Sequence, residues 1–183
     1  MLTEIRRKAG TFVLRRESAR VLRDKRICNL SKASDVGVLY YLHDEATYSL
    51  VSAFVKQLQE EGKHVKALGY VESKSLTGRF LPRLSYDFLY PSGLSWSFKP
   101  VSAHARDFIE TKFDILIDLS MKDHLPLMFL SGLSMATFKV GLDSGPRSDF
   151  LDLMIKLPEN GKLDDLIKHI HHYLSEINKE NEN

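Results

Sequence analysis

Short apolar runs and longer stretches of helical spacing alternate along the chain from residue 35 onward. Residues 36–42 (VGVLYYL) are an apolar run of strand length. Residues 45–61 then place Thr47, Leu50, Val51, Phe54, Val55 and Leu58 three and four apart, the spacing of one helix face, and Gly62 is a natural stop. Residues 64–71 predict a second strand. A polar stretch, ESKSLTGRFLPRL, leads to a third in SYDFLYP. Residues 91–101 hold the only Trp and two prolines and read as a loop, and 102–111 as a short helix. FDILIDL, 113–119, is the strongest strand signal. A helix at 123–133, a strand at 136–142, a turn in GLDSGPRSD and a last strand at 151–157 follow. The clearest helix covers 162–179, where Leu163, Leu166, Ile167, Ile170, Leu174 and Ile177 share one face.

Strands apolar on both faces, alternating with helices, predict an α/β fold. The expected form is one doubly wound, mainly parallel sheet with helices on both faces, a Rossmann-like three-layer sandwich. The expected organisation is a basic, helical segment at 1–30, the α/β domain at 31–180 and a frayed tail at 181–183. The basic segment is expected to pack over one sheet edge with its charged side exposed. Such sheets bind ligands outside the carboxyl ends of the strands, near the point where strand order reverses. The residues falling there are His43 and Asp44, Glu72 and Ser73, Asp118, Ser120 to Lys122, and Asp143 with Ser144.

Each candidate has a structural reading beside a chemical one. Asp44 is placed to cap the following helix, with Glu45 favourable against the positive helix end. His43 beside it is a possible acid, base or ligand donor at the crevice mouth, oriented by Asp44. The turn LHDEAT has no glycine and carries two carboxylates, which argues against ordinary dinucleotide binding through it. In DLSMKDH, Asp118 either holds the sheet end or offers a crevice carboxylate with Lys122 or His124 nearby, while Asp123 is expected to cap the next helix. Arg147, after the Gly145-Pro146 turn, is expected to be solvated. Asp165, His169 and His172 share a helix face, but one opposite the apolar stripe, so they are expected to face water rather than a metal.

Composition narrows the partners. A formal net charge of +2 predicts no strong general attraction to nucleic acid. The charge is uneven, and the basic start is a candidate docking element for an acidic partner, anionic lipid or nucleic acid, though it carries no aromatic stacking pattern. One cysteine, Cys28, excludes an intrachain disulfide, favours a reducing compartment and is read as structural. With no signal-peptide core and no apolar run near 20 residues, the expectation is a cytoplasmic protein without a transmembrane segment. SGLSW and SGLSM lack the second glycine of a nucleophile elbow, and neither a Walker A motif nor HExxH occurs.

Two resemblances add to this reading. VGVLYYLHDEATYSLVSAFVKQLQEEGKHVKALGYV followed by FDILIDLSMKDHLPLMFLSGLSMATFKVGLD, about residues 35–143, resembles the N-terminal half of heptosyltransferase-type GT-B glycosyltransferases. The matching pieces are Asp44 at the helix start, the 113–119 strand, and Lys139 to Gly141. The glycines that precede the helix-start aspartate in that family are missing here, as is its nucleotide-sugar-binding domain. The resemblance therefore implies a transferase only as a half-site completed by a partner chain, with Asp44 as base. The whole chain, with its basic start and its FLDLMIKLPENGKLDDLIKHIHHYL ending, resembles a small bacterial family of Rossmann-like proteins of the Bacteroidetes type, which implies a fold and no activity. The function expected first is non-catalytic binding of a small polar ligand or partner in the crevice, with no cofactor and a possible homodimer. The crevice would be built from His43, Asp44, Glu72, Asp118, Ser120, Lys122 and Asp143.

Overall fold

The computed structural model describes residues 1–72 and 84–177. Most of the polar connection before the third strand, Ser73 included, and the tail expected to fray lie outside the described residues. Six strands form one sheet: β1 (Asp35–Tyr41), β2 (His64–Tyr70), β3 (Tyr86–Leu89), β4 (Ile115–Asp118), β5 (Phe138–Leu142) and β6 (Leu153–Ile155). Their order is β3-β2-β1-β4-β5-β6 and every pairing is parallel. Val38 of β1 stands opposite Ala67 of β2 on one side and Ile117 of β4 on the other. The chain steps outward from β1 to β3, then crosses back to β4 and steps outward the other way. This is the doubly wound topology of a Rossmann-like sandwich, and it puts the switch point between β1 and β4.

The two faces of the sheet are sorted by residue parity. Val36, Val38, Ile115, Ile117 and Val140 face α2 (Glu45–Glu60) and α5 (Leu163–Glu176). Leu39, Leu68 and Leu116 face α3 (Ala103–Glu110) and α4 (Leu125–Leu133). In α2 the helical spacing buries Val51, Phe54, Val55 and Leu58, each contributing roughly 1.5–3 kcal/mol. Gly62 ends the turn after α2 at φ 81°, a left-handed conformation in which glycine is unstrained.

The basic segment does not cover a sheet edge. Its helix, α1 (Leu2–Ser18), lies across α4 as an outer layer. The reason is in α4, where every residue from Pro126 to Leu133 is buried. A helix that is apolar all round needs cover on the side away from the sheet. Leu14 supplies it, fully buried among Met128, Phe129, Leu133 and Phe150. Gly10 permits the approach, since a Cβ there would stand 2.2 Å from the Ser97 carbonyl oxygen. Arg6 donates Nε to the Trp96 carbonyl at 2.7 Å and lies over the Phe98 ring at 4.3 Å, while Glu17 pairs with Lys99. Among the described residues, no helix is long and apolar enough to cross a membrane.

Candidate functional site at the carboxyl ends of the strands

At the end of β1, Asp44 is the N-cap of α2. Its Oδ1 accepts the Thr47 amide at 2.7 Å, and that bond holds the carboxyl below its ordinary range. His43 stands with Nε2 3.2 Å from Asp44 Oδ2 and Nδ1 3.1 Å from the Thr47 hydroxyl. The ring is oriented, but about half of its surface is exposed. Asp44 already takes the Thr47 amide of the first turn.

Deeper in the crevice the aromatic ends of β1 and β2 meet the segment after β4. His124 stacks on Tyr41 with ring centroids 3.8 Å apart, and Tyr70 leans against both. The Tyr41 hydroxyl points to Glu72 Oε2 at 3.4 Å. Burial, reinforced by Glu72, pushes the Tyr70 phenol up to about 12 and raises that of Tyr41, so both remain donors at neutral pH. Burial lowers the His124 imidazole, which keeps it neutral there.

Behind His124 lies a buried polar node centred on Arg147. Its Nη1 donates to the Ser120 carbonyl at 2.7 Å and stands 3.5 Å from Asp118 Oδ1. Its Nε is shared between Asp123 Oδ1 and the Ser144 hydroxyl, both at 2.9 Å. Two expectations are corrected here. Arg147 is 1% exposed rather than solvated, because the turn after β5 folds back under the strand ends. Asp123 does not cap α4, whose N-cap is His124 without a side-chain bond; the stronger pull is the buried guanidinium. Asp118 is fully buried, with Oδ1 accepting the Ser120 amide.

Two cavities flank the Tyr41–His124 stack. One, about 310 Å³, is lined by Arg7 of α1, Tyr70, Glu72, Phe98, Asp123 and His124. The other, about 190 Å³, is largely apolar and bounded by Tyr41, His43, Thr47 and Lys122. The expected crevice residues are therefore divided. Glu72 lines the first cavity, His43 and Lys122 the second, and Asp118 and Ser120 sit in the node. Asp143 turns toward Lys156, 3.9 Å away at the far strand end. Of the buried polar side-chain atoms without a hydrogen-bond partner among the described residues, four gather here: Asp118 Oδ2, Ser120 Oγ, His124 Nε2 and Arg147 Nη2.

Asp165, His169 and His172 stay on the solvent side of α5, where the Asp165 carboxylate accepts the Lys162 amide. His171 instead clasps α5 to α2 through Glu61 at 2.8 Å. Among the described residues, no group of three His, Cys, Asp or Glu side chains is placed to hold a metal ion. Sequence reasoning passed over Tyr41, Tyr70 and Arg7. The two tyrosines were legible as polar tips closing apolar runs; Arg7 gave no local sign of reaching the crevice.

No curated protein and no solved structure matches the chain. A family does match over residues 6–177, from α1 through the end of α5, a span that takes in both Arg7 of α1 and His124 at the start of α4. The chain belongs to this family of unknown function, DUF6913.

Proposed function

We propose that the protein binds a small polar ligand, without catalysis, in the cavity beside His124, with His124, Glu72 and Arg7 as its polar contacts. The observation that carries this reading is His124 Nε2, a buried ring nitrogen on the wall of that cavity with no partner among the described residues, backed by three more unpartnered atoms in the node behind it. Each such atom costs roughly 1–3 kcal/mol when left unsatisfied. Four together at the switch point of a doubly wound sheet fit a site that a ligand or its waters complete. A volume near 310 Å³ lies at the lower end of ligand pockets, about 300–1,000 Å³. The lining offers one cation, carboxylates and a neutral imidazole, which suits a ligand with both donors and acceptors. Asp44 is already spent as a cap, which weighs against its use as the base of a transferase half-site.

The test is thermal denaturation against a panel of nucleotides, nucleotide sugars and sugar phosphates. Saturation at about 100 times the dissociation constant stabilises by roughly 2.7 kcal/mol, several degrees for a chain of this size. His124→Phe keeps the stack on Tyr41 and removes Nε2, and Arg7→Ala removes the cation. Both variants should fold and lose the response. A flat panel, or variants that respond like wild type, would overturn the reading.

A second reading rests on the outward face of α1. Ile5 and Phe12 are 52% and 68% exposed there, beside Lys8, Arg15 and Arg16. This face suits docking onto an acidic protein surface. Because α1 covers α4, its deletion would damage the fold, so the test is Lys8→Glu with Arg16→Glu. Partner binding should weaken steeply with salt and be lost in the double variant. Salt-independent binding argues against it.

A further inference from the structure

Lys139 sits within β5, where Phe138 and Val140 turn into the core under α2 and α5. Lys139 therefore faces the α4 side, and it is only 2% exposed. Its Nζ donates to the Ser131 carbonyl at 2.6 Å, and it makes no ion pair among the described residues. A buried ammonium without a counter-charge is costly, and proteins normally pair it or neutralise it. Asp152 is close enough to accept the Lys139 backbone amide at 2.9 Å, but the side chain itself borders a cavity of about 330 Å³, opening between the end of α1, the 19–25 segment, Gly132 and Phe150.

The charged lining is strongly one-sided. Arg15, Arg23, Lys25 and Lys139 face a single acid, Asp149. Arg23 is already committed, donating to the Ala136 and Thr137 carbonyls and pairing with Asp152 at 2.6 Å. Counting Asp152 with Asp149 still leaves two positive charges over. Arg15 makes no ion pair among the described residues, and Lys25 reaches Asp152 only at 4.0 Å. An excess of two positive charges around a half-open cavity, with unused ammonium and guanidinium donors, matches a tetrahedral dianion. We propose that this cavity is an anion site that takes phosphate, as the free ion or as the head of a small phosphomonoester, held by Lys139 and Arg15 with Lys25 at its mouth. The site lies at the opposite end of α4 from the His124 crevice and does not depend on it.

Proton linkage gives the site a signature that a surface cluster of lysines would lack. Burial, with help from Arg23 and Lys25 and against Asp152, pushes the Lys139 ammonium down to about 7. The charged groups lining the cavity are Arg15, Arg23, Lys25 and Asp149, with Asp152 behind Arg23. Above pH 7 the empty site holds a neutral amine, and binding an anion takes up a proton. Affinity for an anion that does not itself titrate should then fall about tenfold per pH unit.

The experiment is calorimetric titration of the full chain with inorganic phosphate, glycerol phosphate and sulfate. Saturable one-site binding is expected, with sulfate about tenfold weaker at pH 9 than at pH 8. Lys139→Met and Arg15→Ala should each weaken binding at least tenfold, whereas Lys56→Ala, on the exposed side of α2, should leave it unchanged. Tighter binding of glycerol phosphate than of inorganic phosphate assigns the ester, and the reverse assigns the free ion. If Lys139→Met does not fold, Arg15→Ala and the sulfate pH profile carry the test. No saturable binding to wild type, or wild-type affinity in both cavity variants, overturns the proposal.

Discussion

Arg147 Nη1 lies 3.5 Å from Asp118 Oδ1, and neither side chain keeps more than 1% of its surface in solvent. One guanidinium thus ties three pieces of chain: the end of β4, the 120–124 segment and the turn after β5. The ion pair is too dry to be judged as a surface contact. Its value depends on both partners being present, because either charge left alone would be buried without compensation.

Arg147→Met should therefore cost about 3–5 kcal/mol in urea denaturation, since it strands the Asp118 carboxylate. Adding Asp118→Asn should recover part of that, the neutral amide needing no counter-charge. A double-mutant cycle is expected to show a coupling of about 1 kcal/mol or more. Additive single effects would mean that the two side chains merely share a neighbourhood.

The contrast between Asp44 and Arg147 shows what was legible in the sequence. Asp44 follows an apolar run and precedes a helical pattern, so its cap is a local event that neighbouring residues encode. The same holds for the alternation that built β1, α2, β2 and β4. Arg147 sits in a polar turn, and charged turn residues default to solvent. Its burial is decided by where the turn lands after β5 crosses beside β4, which no local pattern records. The seat of α1 was hidden for a related reason. The basic helix looked like edge cover, while the demand for cover came from α4, more than a hundred residues away in sequence. Asp123 combines the two cases: its position favours a cap, and a distant guanidinium outcompetes that choice.

At Asp44, replacement by alanine removes the acceptor of the Thr47 amide and should cost about 1 kcal/mol at pH 7. Asparagine, an equally good cap, should cost far less. The aspartate is held below its ordinary 3.8 in the folded state, so its contribution is complete above that value and fades as pH falls through the lowered one. Urea titrations at pH 7 and pH 3 compare the two. An alanine penalty that does not shrink at pH 3 would show that the charge is irrelevant to the cap.

Gly10→Ala tests the seat of α1. The new Cβ would meet the Ser97 carbonyl at 2.2 Å and Leu125 Cδ2 at 2.7 Å. Backbone cannot yield as a flexible side chain can, so α1 should lift from α4 at a cost of about 1–3 kcal/mol despite the better helix propensity of alanine. Amide exchange in residues 2–18 and proteolysis before residue 34 should both accelerate, while α2 and α5 stay protected. Unchanged protection of α1 would place its anchorage elsewhere, in Leu14 or in the Glu17–Lys99 pair.

Lys139→Met should stabilise the chain, the opposite of what losing a buried hydrogen bond from Nζ to Ser131 would suggest. Methionine keeps much of the stem volume and brings no charge. The folded ammonium titrates at about 7 against an ordinary 10.5. Between those values the unfolded chain binds a proton that the folded chain does not, so wild-type stability rises with pH across this window. Below pH 7 both states are protonated and the penalty is constant and largest, with an upper limit on the order of 5 kcal/mol. Above about 10.5 both are neutral and the penalty is gone. The gain from Lys139→Met should thus be greatest at pH 6–7 and shrink steadily toward pH 10 in urea denaturation without phosphate. Adding phosphate at neutral pH should narrow the gap, because it stabilises only the chain that keeps the lysine. A variant less stable than wild type at pH 7 would mean that the ammonium is compensated in the empty protein and has no need of an anion.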